Sequence, residues 1–219
     1  MERKFWLERW LKNQIGFHQP EYNRHLQTYW PGLGIEKGSR VFIPLCGKSL
    51  DMRWLESQGH SVCGVEISKV AIEAYFESHN EDYRRTVVGD FTLYSGLNSE
   101  IYCGDFFELT ARELQGVAGV YDRGALIALP QDMRVRYIDH LLRVLPEGTR
   151  MLLLTLEYDQ NLVAGPPFSV YPEEIEALYG DRCNIERLHT DVTDQVPPHF
   201  AAQGVNRVGE AAYRITKLR

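Results

Sequence analysis

The sequence lacks several features that mark whole classes of protein. No apolar run approaches the roughly 20 residues of a membrane-spanning helix, and the first ten residues are charged and aromatic. We therefore expect a cytoplasmic protein with no membrane partner. Its four cysteines, at positions 46, 63, 103 and 183, have no CxxC spacing. This spacing favours reduced, buried thiols over disulfides or metal ligands.

Metal-binding patterns and excess positive charge are also scarce. The seven histidines show no HxxH or HExxH spacing, so we predict no metal site. Acidic residues outnumber basic ones by 30 to 24, which gives a net charge of −6. A partner held mainly through phosphates is therefore not expected, and nucleic acid is an improbable substrate. With 44% apolar residues and no repeat or linker, residues 1–219 are predicted to form one domain.

Short apolar runs alternate with helical patterns along most of the chain. This alternation predicts an α/β fold with a mostly parallel sheet and helices on both of its faces. Residues 86–94 are interpreted as an inserted hairpin that leads into the third core strand. A short helix is predicted at 111–114, and the strongly apolar run 151–156 is expected to be the central strand.

The most informative stretch is residues 40–66. An apolar strand at 41–43 ends at Pro44, and a tight turn follows in which Gly47 can adopt a backbone conformation closed to other residues. A helix and a second strand come next, and that strand ends on Glu66. The pattern is that of a βαβ unit of a nucleotide-binding fold, whose ligands bind at the carboxyl ends of the strands.

The glycine content of this unit limits the choice of cofactor. Only Gly47 follows the first strand, so the GxGxxG pattern of dinucleotide folds is missing. A phosphate-binding P-loop would need a glycine where Phe42 stands. S-adenosylmethionine, an adenosine joined to a sulfonium amino acid, carries no phosphate and needs no such glycines. We therefore predict S-adenosylmethionine as the cofactor.

Each strand end can then be given a role towards that cofactor. The backbone at 45–47 is predicted to approach the methionine part, and Glu66 to accept hydrogen bonds from both ribose hydroxyls. Asp105 is expected to accept from the adenine amino group, with Phe106 packed against the ring. The alternatives are a solvated carboxylate for Glu66 and a turn-capping role for Asp105.

The N-terminal residues are unusually aromatic. Phe5, Trp6, Trp10 and their apolar neighbours have helical spacing, and a second helix is expected at 21–29. One interpretation makes residues 1–35 a helical lid over the cofactor site of a core at 36–219. The other packs the aromatic residues against the edge of the sheet, and the sequence leaves both open.

With these residues in place, the sequence resembles the thiopurine S-methyltransferase family, over nearly the whole chain. The resemblance is carried by short blocks, several of them quite specific. They are Trp6-x3-Trp10, Phe17-His18-Gln19, Pro44-Leu45-Cys46-Gly47-Lys48, Gly64-Val65-Glu66-Ile67-Ser68, Asp122-Arg123-Gly124-Ala125-Leu126 and Gly165-Pro166-Pro167-Phe168.

The resemblance implies a Rossmann-like class I methyltransferase with a seven-stranded sheet whose last strand is antiparallel. It implies S-methylation of aromatic and heterocyclic thiols such as thiopurines, with Phe17 in contact with the substrate. We expect a monomer that acts on a small-molecule thiol. The cofactor contacts that the resemblance implies are Trp10, Leu45, Glu66, Asp105, Phe106 and Arg123.

Methyl transfer from a sulfonium requires the nucleophile, the methyl carbon and the leaving sulfur to lie in line. An aromatic thiol ionises readily, so no dedicated general base is expected. Arg123 is the best candidate to stabilise the thiolate or orient the acceptor. Its alternative role is an ion pair with Asp122 or a neighbouring acid. His18 either assists proton removal near the substrate or is a hydrogen-bonded loop residue.

Two other functions are consistent with the same residues. The first is methylation of small soft nucleophiles, namely selenium or tellurium oxyanions, halides and small thiols. Bacterial members of the family that the sequence resembles are associated with methylation of selenium and tellurium species, which keeps this alternative open. The second is a non-catalytic protein that binds S-adenosylmethionine. A nicotinamide oxidoreductase would need the glycines that are missing.

Overall fold

The computed structural model describes residues 3–218, which form one nine-stranded sheet with helices on both faces. The helices are α1 (Arg3–Leu11), α2 (Arg24–Tyr29), α3 (Asp51–Ser57), α4 (Lys69–Glu77), α5 (Gln131–Val144), α6 (Pro172–Tyr179) and α7 (Pro198–Ala201). The strands are β1 (Arg40–Ile43), β2 (Ser61–Glu66), β3 (Arg84–Val88), β4 (Phe91–Ser95), β5 (Ser99–Cys103), β6 (Val117–Arg123), β7 (Arg150–Glu157), β8 (Cys183–Thr193) and β9 (Val208–Lys217).

The strand order is β3-β4-β5-β2-β1-β6-β7-β9-β8. Strands β5, β2, β1, β6 and β7 are parallel to one another. Strand β9 is antiparallel to both of its neighbours, β7 and β8. The seven strands from β5 to β8 reproduce the expected Rossmann-like sheet, including its antiparallel last strand, so the predicted fold class is confirmed.

The number of strands differs from the prediction, with nine rather than seven. The two additional strands are the hairpin β3–β4, which pairs antiparallel to β5 and extends the same sheet. The sequence placed this hairpin correctly but treated it as an insertion outside the sheet. Strand β7 is also not the central strand, because β1 occupies the middle of the nine. Its apolar character reflects burial on both faces, which does not require a central position.

The short helix predicted at 111–114 is absent, and the chain forms hydrogen-bonded turns there instead. The Glu113 carboxylate accepts from both the amide and the hydroxyl of Thr110, at 2.9 and 2.6 Å. This side chain holds the turn, and Gly116 ends it with a φ of +76°. The only helical turn in this connection comes earlier, as a 3-10 helix at Phe106–Glu108.

Alternation along the strands divides the core into two layers. Phe42 of β1 packs with α5 and α6 on one face, while Val41 and Ile43 pack with α2, α3 and α4 on the other. Successive side chains of a strand point to opposite faces, so one apolar strand serves both layers. No helix within the described residues has both the length and the apolar character that a membrane crossing requires.

The segment that precedes β1 is built into the second layer. Leu26, Trp30 and Leu33 are buried, and the Trp30 indole lies 3.1 Å from His60 Nε2. A Cβ atom at Gly119 of β6 would lie 2.6 Å from Ile35 Cδ1, so the missing side chain allows the close approach. Leu26, Trp30 and Leu33 therefore anchor the segment before β1 in the core.

Candidate functional site

The carboxyl ends of the parallel strands meet at one edge of the sheet, as the βαβ pattern predicts. Strand β1 is followed there by Leu45–Gly47, β2 ends on Glu66, β5 leads to Asp105, and β6 ends on Arg123. The structure thus brings together predicted site residues from four separate strands.

The loop after β1 has an unusual backbone. Leu45 and Gly47 have φ values of +46° and +54°, in the left-handed region. Glycine tolerates this conformation, but for a leucine it costs on the order of 1–2 kcal/mol. The Cys46 amide donates to Val65 O of β2 at 3.0 Å. The loop is therefore fixed to the neighbouring strand in a strained shape, which is common at ligand-binding sites.

Glu66 is 5% exposed, so the solvated-carboxylate interpretation is wrong. Its Oε2 accepts from the Gly47 amide at 2.9 Å, and its Oε1 accepts from the Ser68 amide at 2.7 Å. Burial raises the pKa of Glu66 to about 7, although the amide donors act in the opposite direction. A carboxylate has about four acceptor positions. The acceptor positions that the amides leave open on this carboxylate suit the hydroxyls of a ribose.

Asp105 and Phe106 lie where β5 ends. Asp105 Oδ1 accepts from the Phe107 amide at 3.0 Å, which is the capping role that the sequence left open. The Phe106 ring is buried in the core, with its centroid 4.8 Å from that of Tyr137 and 5.2 Å from that of His140. Because Tyr137 and His140 pack against the ring, Phe106 can contact a cofactor only through its backbone or the edge of its ring.

Arg123 forms an ion pair, as its alternative role required, but the partner is Asp51. Its Nε donates to Asp51 Oδ2 at 2.7 Å and its Nη2 to Ser49 Oγ at 2.9 Å. The side chain of Asp122 points to the opposite face of the sheet from that of Arg123, because consecutive side chains of β6 alternate between the faces. It is buried and accepts from the Tyr137 hydroxyl at 2.7 Å. Burial raises the pKa of Asp122 to about 6.

Asp51, in the first turn of α3, is a site residue that the sequence did not identify. The side chain is 1% exposed. Besides Arg123, it accepts from the Tyr121 hydroxyl at 3.1 Å and from the Asn23 amide at 2.8 Å. The partners are far away in the sequence, so no local pattern could have paired them.

Trp10 places α1 over the loop after β1. Its Cζ2 lies 2.9 Å from the position that a Cβ atom at Gly47 would occupy. The Phe17 ring lies 5.5 Å from Trp10 and 5.7 Å from Trp6, and it remains 43% exposed. These contacts place Trp10 and Phe17 beside the loop after β1, and a lid formed by residues 1–35 stays a prediction.

His18 lies next to the same edge. Its pKa is lowered first by burial and then by the charges of Lys48 and Arg123, with Asp51 acting in the opposite direction. The imidazole is therefore neutral at pH 7. The backbone amide of His18 donates to Ile15 O at 2.8 Å, whereas the ring has no hydrogen-bond partner among residues 3–218. The sequence also gave no role to Lys48.

The thiols contribute no reactive group to this edge. All four cysteines are free, and burial raises the pKa of Cys46 and Cys63, the latter to about 12. Such thiols remain protonated and unreactive at neutral pH. In the described part of the chain, His, Cys, Asp and Glu side chains form no group of three suited to a metal ion.

The donors at this edge fit adenosine and an amino acid better than a phosphate. A phosphate-binding loop turns its glycine amides towards the ligand, whereas the Gly47 amide donates to Glu66 at 2.9 Å. The buried carboxylate at the end of β2 attracts hydroxyl donors and repels anions. S-adenosylmethionine supplies those hydroxyls and carries no phosphate.

Comparison with known proteins agrees with this geometry. The family model described as thiopurine S-methyltransferase matches residues 1–218. A thiopurine S-methyltransferase of Pseudomonas entomophila is 47% identical over 217 residues, which cover 99% of this chain and 100% of that protein. One from Pseudomonas putida strain F1 is 45% identical, with the same coverage of both chains.

The fold is also found in solved structures of distant sequence. The Burkholderia thailandensis 1,6-didemethyltoxoflavin-N1-methyltransferase, solved with S-adenosylhomocysteine and its substrate bound, has a TM-score of 0.65. It is 15% identical in sequence, and the match covers 99% of this chain and 87% of that one. At this identity the comparison establishes a shared fold.

Proposed function

The chain belongs to the thiopurine S-methyltransferase family, whose methyl donor is S-adenosylmethionine, and on this premise we propose its acceptor and its site. We propose that it methylates the sulfur of aromatic and heterocyclic thiols such as thiopurines. The observation that carries the proposal is the position of Arg123. It lies at the end of β6, on the same edge as Glu66 and near enough to His18 to lower the pKa of that imidazole.

We assign the cofactor contacts as follows. The acceptor positions left open on the Glu66 carboxylate take the ribose hydroxyls, and Asp105 takes the adenine amino group. The strained backbone from Leu45 to Gly47 approaches the methionine part. Trp10, which already covers Gly47, closes the site from above and excludes water.

Once bound, the cofactor supplies a methyl group on a positively charged sulfur. The protein's contribution is to place the acceptor sulfur in line with that group, and such positioning can supply several kcal/mol, up to about 7–11, of barrier reduction. Arg123 is suited to this because two of its three nitrogens are held, by Asp51 and Ser49. A fixed guanidinium favours the thiolate form of the acceptor over the neutral thiol.

The aromatic acceptor is assigned to the face formed by Phe17. This ring is more exposed than those of its neighbours Trp6 and Trp10, which leaves a surface for a planar heterocycle. His18 follows directly in the chain and is neutral at pH 7, so it is able to accept the thiol proton. We propose a monomeric enzyme that acts on small molecules, and the net charge of −6 supports the exclusion of nucleic acid.

The test is incubation with radiolabelled S-adenosylmethionine and a panel of acceptors. The panel contains 6-mercaptopurine, a thiophenol, a small aliphatic thiol, iodide, selenite and tellurite. We expect the aromatic thiols to give the highest kcat/KM, with Glu66→Ala as the low-activity background. Higher kcat/KM for selenite, tellurite or iodide would replace the proposed acceptor. Absence of product with every acceptor would indicate a binding protein.

One observation favours a second candidate, methylation of selenium or tellurium oxyanions. Lys48 is near enough to His18 to lower its pKa, and within residues 3–218 it forms no ion pair. Together with Arg123 it gives this side of the edge a positive potential, which suits an anionic acceptor. The same panel ranks this candidate against the first.

A further inference from the structure

Asp51 is the point where three parts of the molecule meet. It begins α3, Arg123 ends β6, and Asn23 is the residue that caps α2 at the end of the N-terminal segment. Its two oxygens divide these contacts. Oδ1 accepts from the Asn23 amide at 2.8 Å, and Oδ2 accepts from Arg123 Nε at 2.7 Å.

Burial makes these contacts depend on one another. The carboxylate is 1% exposed, so water cannot replace a lost donor. A buried charge that loses one partner is strongly destabilised, because its remaining hydrogen bonds no longer compensate for desolvation. Removing the Asn23 amide donor therefore destabilises the buried Asp51 carboxylate, which holds Arg123 in place. Displacing Arg123 likewise loosens the attachment of Asn23.

The segment that Asn23 ends carries the residues assigned to the acceptor. Residues 12–23 connect α1 with α2 and include Phe17 and His18. Beyond Asn23 the chain enters the core, so the contact with Asp51 lies at the boundary between the core and this connection. On the other side of Asp51, Ser49 gives Arg123 a second attachment at 2.9 Å.

We propose that Asp51 is a positioning residue, which couples the seating of residues 12–23 to the orientation of Arg123. The inference rests on the proposed function, since it assigns Arg123 and Phe17 to the acceptor. Its role is to ensure that the guanidinium and the acceptor-binding segment are in place together. Asp51 acts through these groups and does not itself contact the reacting atoms.

A matched pair of variants at Asn23 isolates the coupling. Asn23 has a φ of −65°, the value of proline, so Asn23→Pro removes the amide hydrogen without a change of backbone angle. Asn23→Ala keeps that hydrogen. Both variants lose the side-chain cap on the amides of His25 and Leu26, so that loss cancels in the comparison. What differs is the hydrogen bond to Asp51, together with the restriction that a proline places on the backbone of Tyr22.

We expect Asn23→Pro to lower kcat for aromatic thiols about tenfold relative to Asn23→Ala, the lower range for a lost hydrogen bond to a charged group. The KM for S-adenosylmethionine should agree within about twofold between the two variants, because the hydrogen bond from Asn23 to Asp51 involves none of the residues assigned to the cofactor. Equal kcat values for the two variants would overturn the proposal.

A second measurement requires no acceptor. Hydrogen exchange at the amides of residues 14–22 should be faster in Asn23→Pro and in Asp51→Asn than in Asn23→Ala. Ser49→Ala, which removes an attachment of Arg123 but leaves Asn23 bonded, should exchange more slowly than Asp51→Asn. Equal exchange in Asn23→Pro and Asn23→Ala would show that Asp51 does not seat the segment.

The two arms also separate this inference from the proposed function. If the wild-type protein methylates no thiol, the proposed acceptor is wrong, and the exchange comparison still decides whether the segment depends on Asp51. A further readout is the titration of His18 by NMR. Its pKa should fall in Asp51→Asn, because the Asp51 charge raises it in the wild type.

Discussion

The cofactor half and the acceptor half of the site are built in different ways. In the first, short loops directly after β1 and β2 bind each other through backbone amides, as Gly47 and Ser68 do with Glu66. In the second, Asp51 joins residues 28 positions before it and 72 positions after it. The Gly47 and Glu66 part of the proposed cofactor site therefore lies within one contiguous unit. Acceptor choice rests on contacts between distant segments, where single substitutions can alter it separately.

The largest expected effect separates the two halves. Glu66→Ala removes the proposed acceptor of the ribose hydroxyls, and lost hydrogen bonds to a charged group cost about 1.5–3 kcal/mol. We expect the Kd for S-adenosylmethionine to rise roughly 10- to 100-fold in calorimetry, with little change in KM for the thiol. An unchanged Kd would remove Glu66 from the site.

The same residue gives the cofactor half a pH dependence. Because burial raises the pKa of Glu66 to about 7 from an ordinary 4.5, the free carboxyl is partly protonated near neutrality. Hydroxyl donors bind the ionised form, so affinity should increase as the pH rises to about 7 and level off above it. The contribution of Glu66 to folding stability, in contrast, decreases as the pH rises, because the folded protein holds the proton more tightly than the unfolded chain. It is full below pH 4.5 and is lost as the pH rises through 7.

Glu66→Gln is the matched control for this dependence, because it keeps the shape of the side chain and cannot ionise. Its Kd should be flat across pH 6–8. A wild-type slope that persists in Glu66→Gln would assign the titration to another group.

The next effect tests the acceptor half. Arg123→Ala should lower kcat/KM for an aromatic thiol about tenfold, which corresponds to one lost charge-assisted hydrogen bond. The loss should be greatest at pH values where the thiol is neutral, since Arg123 is proposed to favour the thiolate. A ratio of mutant to wild-type rates that does not change with pH would contradict thiolate stabilisation. Arg123→Lys, which keeps the charge without the fork, separates charge from orientation.

The smallest effect tests where the halves touch. Gly47 and Gly89 have φ values of +54° and +58°, so an alanine at either costs on the order of 1–2 kcal/mol of backbone strain. A Cβ atom at Gly89 meets nothing within 4 Å, whereas at Gly47 it reaches the Trp10 ring at 2.9 Å. We expect Gly47→Ala to lower the free energy of unfolding by about 1 kcal/mol more than Gly89→Ala. Equal losses in denaturant titrations would mean that α1 does not rest on the loop.

The sequence predicted the βαβ unit at residues 40–66 well because that unit is continuous in the chain. In such a unit the spacing of strand and helix decides which residues stand at the strand ends, so Gly47 and Glu66 could be placed from residues 40–66 alone. The alternation of apolar runs likewise gave the parallel sheet. The hairpin β3–β4 was located, but whether it extends the sheet depends on pairing with β5, which no local pattern contains.

The acceptor half was predicted less completely for a related reason. The segment Tyr121–Arg123 contains three polar side chains in succession, and alternation alone does not tell which of them faces the site. The sequence therefore left the ion-pair partner of Arg123 open between Asp122 and a neighbouring acid, and Asp51 is that acid. The turn at 111–116 was missed because Glu113 bonds Thr110, and this side-chain contact competes with a helix.

The anchoring of Trp30 and Ile35 against Gly119 has a consequence for chain entropy. Because the far end of residues 12–23 is fixed in the core, α1 is a tethered group that explores only a small volume around Gly47. Short flexible tethers of this kind give effective concentrations in the millimolar range. Even a weak contact between Trp10 and Gly47 is then sufficient to keep α1 on the loop, because the short tether holds the helix close to it.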